Sequence, residues 1–167
     1  MDQARILLVE DDPVLRENLS EMLSSEDFMV RCAADGKSAL AIAGDLLPDI
    51  IICDVMMPEM DGFTMASELA LEPQTAVIPI IFLTAKSSMQ DIRAGLDLGA
   101  VDYLPKPCPT DKLLTVVRMR LSQRRSLEGH LMRHWREKGA VLPAVPHNLA
   151  VPLRQVLGFA GVLAQHH

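Results

Sequence analysis

Short apolar runs recur along the first 110 residues, each followed by a stretch in which apolar positions return every three or four residues. ARILLVE (4–10) reads as a buried strand. Pro13 suits the first turn of a helix running to about Ser24, with Val14, Leu15, Leu19, Met22 and Leu23 along one side. FMVRCA (28–33) is a second strand, Asp35-Gly36 leads into a helix over 37–46, and DIIIC (49–53) is a third strand. A third helix begins at Gly62, carries Phe63, Met65, Ala66 and Leu69, and is closed by Pro73. VIPIIFLT (77–84) predicts a fourth strand, SSMQDIRAGLDLG (87–99) a fourth helix and VDYL (101–104) a short fifth strand. Pro105, Pro107 and Pro109 then impose an extended turn before a long helix that begins at Asp111.

Five strands alternating with five helices predict an α/β fold: a doubly wound five-stranded parallel sheet with a C-terminal helical extension. The continuous Ile, Leu and Val content of the strands fits burial from both sides. In such sheets the ligand crevice lies beyond the carboxyl ends of the strands, near a switch in strand order. Those ends carry Glu10-Asp11-Asp12, Asp54, Thr84 and Lys106 after the first, third, fourth and fifth strands. Asp12, just before Pro13, also suits a helix N-cap.

At 167 residues and 49% hydrophobic, the chain can bury one full core with length to spare. Aromatics make up only 4%, so that core must rest on Leu, Ile, Val, Ala and Met. No apolar run approaches the roughly 20 residues that span a bilayer, and the start, with Asp2, has no signal-peptide pattern. Cys32, Cys53 and Cys108 are odd in number and form no C-x-x-C, which fits packing in a reducing cytoplasm rather than disulfides or zinc. A cytoplasmic protein without membrane contact is expected. The net charge of −6 hides a split. Residues 1–110 hold 7 Lys and Arg against 19 Asp and Glu, a balance of −12, and residues 111–167 hold 9 against 3, a balance of +6. Two functional parts follow from that asymmetry. The basic part lacks clustered aromatics and a reading helix, so nucleic acid is an unlikely partner and a solvated helix face explains the charge.

Carboxylates crowded at one crevice repel each other unless a cation joins them. Oxygen donors without His or Cys favour Mg2+, and such an ion beside a lysine and a threonine makes a phosphoryl-group site. Asp54 is then the expected nucleophile, forming an acyl phosphate. Lys106 would pair with one phosphoryl oxygen and the Thr84 hydroxyl would donate to another. A phosphohydrolase working through an aspartyl phosphate would want a second acid where Met56 stands. A pure interaction module would have no use for the set that this chain keeps.

ILLVEDDPVLRENL, CDVMMPEMDG, PIIFLTA and DYLPKP, in this order, resemble the receiver domain of two-component response regulators over roughly residues 4–125. The resemblance implies a flavodoxin-like fold and Asp54 as the phospho-accepting residue. It makes Glu10 and Asp11 the acidic pair that binds the metal and leaves Asp12 outside it. Glu10, standing for a commoner aspartate, would act through a metal-bound water. The Met56 backbone carbonyl is the remaining protein ligand by the same correspondence. Thr84 and Tyr103 match a switch pair, and Lys106 matches the family lysine, with a cis bond to Pro107. A histidine kinase or a phosphotransfer protein is the implied partner, and the receiver would catalyse its own phosphorylation and dephosphorylation. The added phosphoryl charge would bias an equilibrium spaced by about a few kcal/mol. The fourth helix, the fifth strand and the start of the fifth helix would read that change.

Beyond this receiver (1–125) a helical linker is expected over 126–145. Leu113, Val117, Leu121, Leu127, Leu131 and Trp135 fall loosely at helical spacing, interrupted by Arg124, Arg125 and Gly129. That seam suits packing on the receiver in its early part and a homodimer through the helix later. GAVLPAVP (139–146) reads as a break. PHNLAVPLRQVLGFAGVL (146–163) then resembles the histidine box of sensor histidine kinases, with His147 as the candidate second phosphorylation site and Pro152 five residues on. Asn148, Ala150 and Val151 depart from that pattern. No glycine-rich phosphate loop occurs, so the sequence itself holds no complete kinase. It reads as part of a hybrid receiver–histidine kinase, or as a stand-alone regulator acting through protein contacts with a vestigial tail. The closing His166-His167 also suits a purification tag.

Overall fold

The computed structural model describes residues 3–85 and 102–137. The expected helix 87–99, the 138–145 part of the linker and the 146–167 segment with His147 lie outside the described residues. The elements are β1 (Arg5–Val9), α1 (Pro13–Ser25), β2 (Met29–Ala33), α2 (Gly36–Leu46), β3 (Ile50–Asp54), α3 (Gly62–Leu71), β4 (Ile80–Thr84), β5 (Asp102–Pro105) and α4 (Thr110–Glu137). Three helices start in the same way. Asp12, Asp35 and Asp61 each stand in extended backbone and accept N–H bonds from the first turn, at 2.7–3.0 Å. These acids answer the unpaired N–H groups and positive dipole end of the helix that follows each strand.

The strands pair in parallel in the order β2-β1-β3-β4-β5. Successive side chains of each strand point to opposite faces, so the apolar runs fill two cores. Leu7, Ile51 and Phe82 pack with Ala39 of α2 and Met65 of α3 on one face. Leu8, Ile52 and Leu83 pack with Leu23 of α1 and Val117 of α4 on the other. The order reverses between β1 and β3, which places the crevice beyond Val9 and Asp54.

Two expectations change in detail. Burial on both sides holds for β1, β3 and β4 but not for β2, an edge strand whose Met29 is 47% exposed. Having a neighbour on one side only, β2 tolerates Arg31 at its centre. The fourth strand is also shorter than 77–84, because Pro79 lacks the N–H a ladder needs and pairing begins after it.

Leu113, Val117 and Leu121, one helical turn apart, are buried against the sheet, so the early part of α4 belongs to the receiver core. Arginines add polar ties along the same stretch. Arg118 pairs with Glu26, Arg120 reaches Asp102 at 3.1 Å, and Arg124 donates to the Asp49 carbonyl at 2.5 Å. The helix continues to Glu137 without a break at residue 125.

Candidate functional site

The carboxyl ends of β1 and β3 bring Glu10, Asp11 and Asp54 together, with one carboxylate oxygen of each within 4.8 Å of the others. Glu10 and Asp54 are almost fully buried, at 1% and 5% exposure. Lys106 arrives from beyond β5 and bridges them, its Nζ lying 2.7 Å from Glu10 Oε2 and 2.9 Å from Asp54 Oδ2. Two of the three clustered carboxylates thus share one ammonium.

Burial pushes the Glu10 carboxyl above its usual range, and the Asp54 charge adds to the push against the lowering by Lys106. Burial alone would pull the Lys106 ammonium down, but its hydrogen bonds to Asp54 and Glu10 outweigh that and leave it raised. The Cys53 thiol sits well above its ordinary value, first through burial and then through the Asp54 and Glu10 charges. An excess of buried negative charge is therefore built into the crevice. An all-oxygen donor set with that excess fits a hard divalent cation such as Mg2+.

The Asp54 side chain is fixed from two directions. Its Oδ1 accepts the Met56 N–H at 3.1 Å while Oδ2 faces Lys106. Its main chain is fixed as well, since the Cys53 thiol donates to the Asp54 carbonyl at 3.1 Å. Gly62, the first residue of α3, presses against the same strand and donates its N–H to Val55 O at 2.9 Å. A Cβ on Gly62 would lie 2.5 Å from the Asp54 carbonyl oxygen, a backbone atom that cannot swing aside. Glycine here is a requirement of close approach.

Thr84 ends β4, one position beyond Leu83, the β4 partner of Asp54, and is 3% exposed. Its carbonyl accepts the Lys106 N–H at 2.8 Å, which ties the lysine's backbone to the strand next to Asp54. The pleat puts Thr84 on the face of Phe82 and Tyr103. The Tyr103 ring is half-buried there, 5.4 Å from the Phe82 ring and 6.4 Å from that of Phe63. Met56 is 57% exposed at the crevice mouth, and the Lys106–Pro107 bond is cis, as the resemblance implied. Asp12 stands apart as the α1 cap.

Sequence reasoning missed three supports. Arg16 donates to the main-chain carbonyls of Glu10 and Asp11, at 2.7 and 3.3 Å, and so shapes the acidic turn. The Cys53 thiol and the Gly62 backbone act through approaches that spacing does not reveal, although the Asp-Gly step closing the loop marks a tight turn.

The chain resembles known proteins in both sequence and fold. The family model described as response regulator receiver domain matches residues 6–118. The DNA-binding dual master transcriptional regulator RpaA of Synechocystis is 41% identical over 114 residues, covering 68% of this chain and 47% of its own length. The transcriptional regulatory protein CpxR of Klebsiella pneumoniae is 41% identical over 163 residues, covering 94% of this chain and 65% of its own length. The chain thus spans about half to two thirds of these curated relatives. Among solved structures, the signal receiver domain of a signal transduction histidine kinase from Syntrophus aciditrophicus superposes with a TM-score of 0.66 at 36% identity, over 72% of this chain and 91% of that one. Among the described residues, no helix is long and apolar enough to cross a membrane.

Proposed function

This chain belongs to the response regulator receiver family, the phosphoacceptor domains of two-component signalling, and from that premise we propose that Asp54 takes the phosphoryl group. The observation that carries the reading is the clustering of Glu10, Asp11 and Asp54 at the switch in strand order, with the Lys106 ammonium bridging Glu10 and Asp54. An Asp54 oxygen attacks the phosphorus of a donor phosphohistidine, on a histidine kinase or a phosphotransfer protein. The P–O bond forms as the P–N bond breaks, and the imidazole leaves with that electron pair and gains a proton from solvent. Lys106 pairs with a phosphoryl oxygen and Thr84 donates to another, so the domain catalyses its own phosphorylation and dephosphorylation.

Mg2+ suits the donor set. Asp11, Asp54 and the Met56 carbonyl would hold it, with Glu10 acting through one of its waters. When bound, the ion offsets charge on the transferring group. Thr84 and Tyr103, on one face of adjacent strands, form the switch pair whose rearrangement relays the effect of the added charge toward β5 and α4. For the output, a hybrid kinase rests on the resemblance of the tail to a histidine box alone. The similarity to RpaA, named as DNA-binding, and the CpxR alignment over 94% of this chain favour a transcriptional output and weigh mildly against the expectation drawn from tail composition.

Incubation of the full chain with acetyl phosphate and Mg2+ should add one phosphoryl group, read as an intact-mass shift. Chelation of the metal with EDTA should cut the rate by at least about a hundredfold, a loss of roughly 2.7 kcal/mol in transition-state stabilisation. Equal rates with and without chelator would remove the cation from the reaction.

A further inference from the structure

We infer that Arg16 is a positioning residue that raises the affinity of the crevice for a divalent cation, although its own charge opposes that ion. The gain in affinity rests on the reading of the crevice as a Mg2+ site, whereas the hold on the turn after β1 does not. In an extended strand successive side chains point to opposite faces and successive carbonyls to opposite edges. A straight continuation of β1 would therefore turn either Glu10 or Asp11 away from Asp54. The chain instead bends at Asp11, and Glu10, Asp11 and Asp54 each bring a carboxylate oxygen within 4.8 Å of the others.

Arg16 holds that bend. From α1 its Nη1 reaches back and donates to Glu10 O at 2.7 Å and to Asp11 O at 3.3 Å. Two consecutive carbonyls can share one nitrogen only where the chain has left the extended form. The same departure brings the two neighbouring carboxylates to one side. The root of the side chain is fixed too, since the Arg16 N–H donates to Asp12 O at 2.9 Å. Among the described residues the guanidinium makes no ion pair, so it meets the turn through main-chain oxygens. Carboxylates preset toward an ion need not be ordered when it binds. Against this stands the repulsion between a guanidinium and a nearby cation. The two effects have opposite signs, so removal of Arg16 tells them apart.

Arg16→Met keeps an apolar stem and removes both donors and charge. Titration calorimetry of the full chain with Mg2+ should give a Kd at least about tenfold weaker in Arg16→Met than in wild type, the effect of losing a charge-assisted bond. Equal or tighter binding would leave Arg16 as a charge alone and overturn the proposal. Met22→Ala loosens α1 against the core about 9 Å further along the helix. Its Kd should stay within about twofold of wild type, as for a distant, independent site. A matching loss in Met22→Ala would make Arg16 a general prop of the helix and overturn its role as well. Amide exchange in EDTA reads the turn apart from the ion. The Glu10 amide, bonded to Ala33 O at 3.1 Å, should exchange at least about tenfold faster in Arg16→Met, relative to that of Leu8. A wild-type chain that binds no Mg2+ would sink the cation reading, and faster Glu10 exchange would still sustain Arg16 as the holder of the turn. Unchanged Glu10 exchange overturns that hold, whatever the affinity for Mg2+.

Discussion

Asp54→Asn should incorporate no phosphate from acetyl phosphate and Mg2+ while keeping the fold of the wild type. The substitution preserves shape, and the amide oxygen still accepts the Met56 N–H that Oδ1 now receives. What it removes is the charged oxygen that attacks phosphorus, and an amide does not form a stable acyl phosphate. The structural cost is small because two effects oppose each other. Lys106 loses the 2.9 Å partner but keeps Glu10 at 2.7 Å, and the repulsion between Glu10 and Asp54 disappears. Far-UV circular dichroism should be unchanged, with the urea midpoint displaced by no more than about 1 kcal/mol of stability. Labelling of the variant at the wild-type level would move the acceptor to another residue.

The acidic crevice was legible because a parallel sheet exposes the ends of its strands on one edge. Strands recognisable as apolar runs therefore deliver Glu10, Asp54, Thr84 and Lys106 to a common place. Asp12 was legible for a different reason, since a helix cap is decided within four residues. What spacing could not show is which side chains touch once the ends converge. Glu10 and Lys106 are 96 positions apart, so no local spacing announces their contact. Gly62 looks like an ordinary turn residue until α3 is laid against the Asp54 carbonyl. Arg31 in the second run was a signal of an edge strand, but strand order decides which strand lies at the edge, and order is a property of the whole sheet. The early half of α4 followed the same logic as the strands. Leu113, Val117 and Leu121 repeat at one helical turn, and the repeat alone predicts a face to be covered.

The largest loss of stability should come from Phe82→Ala. Only five Phe and Tyr side chains occur in the chain, and three of them meet on one face of the sheet. Phe82 is fully buried in β4, edge-on to Phe63 of α3 at 5.0 Å and tilted against Tyr103 of β5 at 5.4 Å. Its ring thus joins a helix to two neighbouring strands in a core otherwise made of Leu, Ile, Val, Ala and Met. Truncation removes the transfer energy of the ring and leaves a void, at a cost of about 3–5 kcal/mol. Edge-to-face contacts add about 0.5–1.5 kcal/mol beyond area, and they go with it. A domain of this size holds roughly 5–15 kcal/mol in total, so the variant should unfold at a clearly lower urea midpoint with a similar slope. Phe82→Leu refills most of the volume and should recover more than half of the loss. Phe82 lies two residues before Thr84 and against Tyr103, so the void also loosens the strand ends that position the lysine and the hydroxyl. Phosphorylation of Phe82→Ala should accordingly slow more than that of Phe82→Leu under conditions where both remain folded. Equal midpoints for the two variants would show that the ring's specific packing contributes nothing there beyond what an aliphatic side chain supplies.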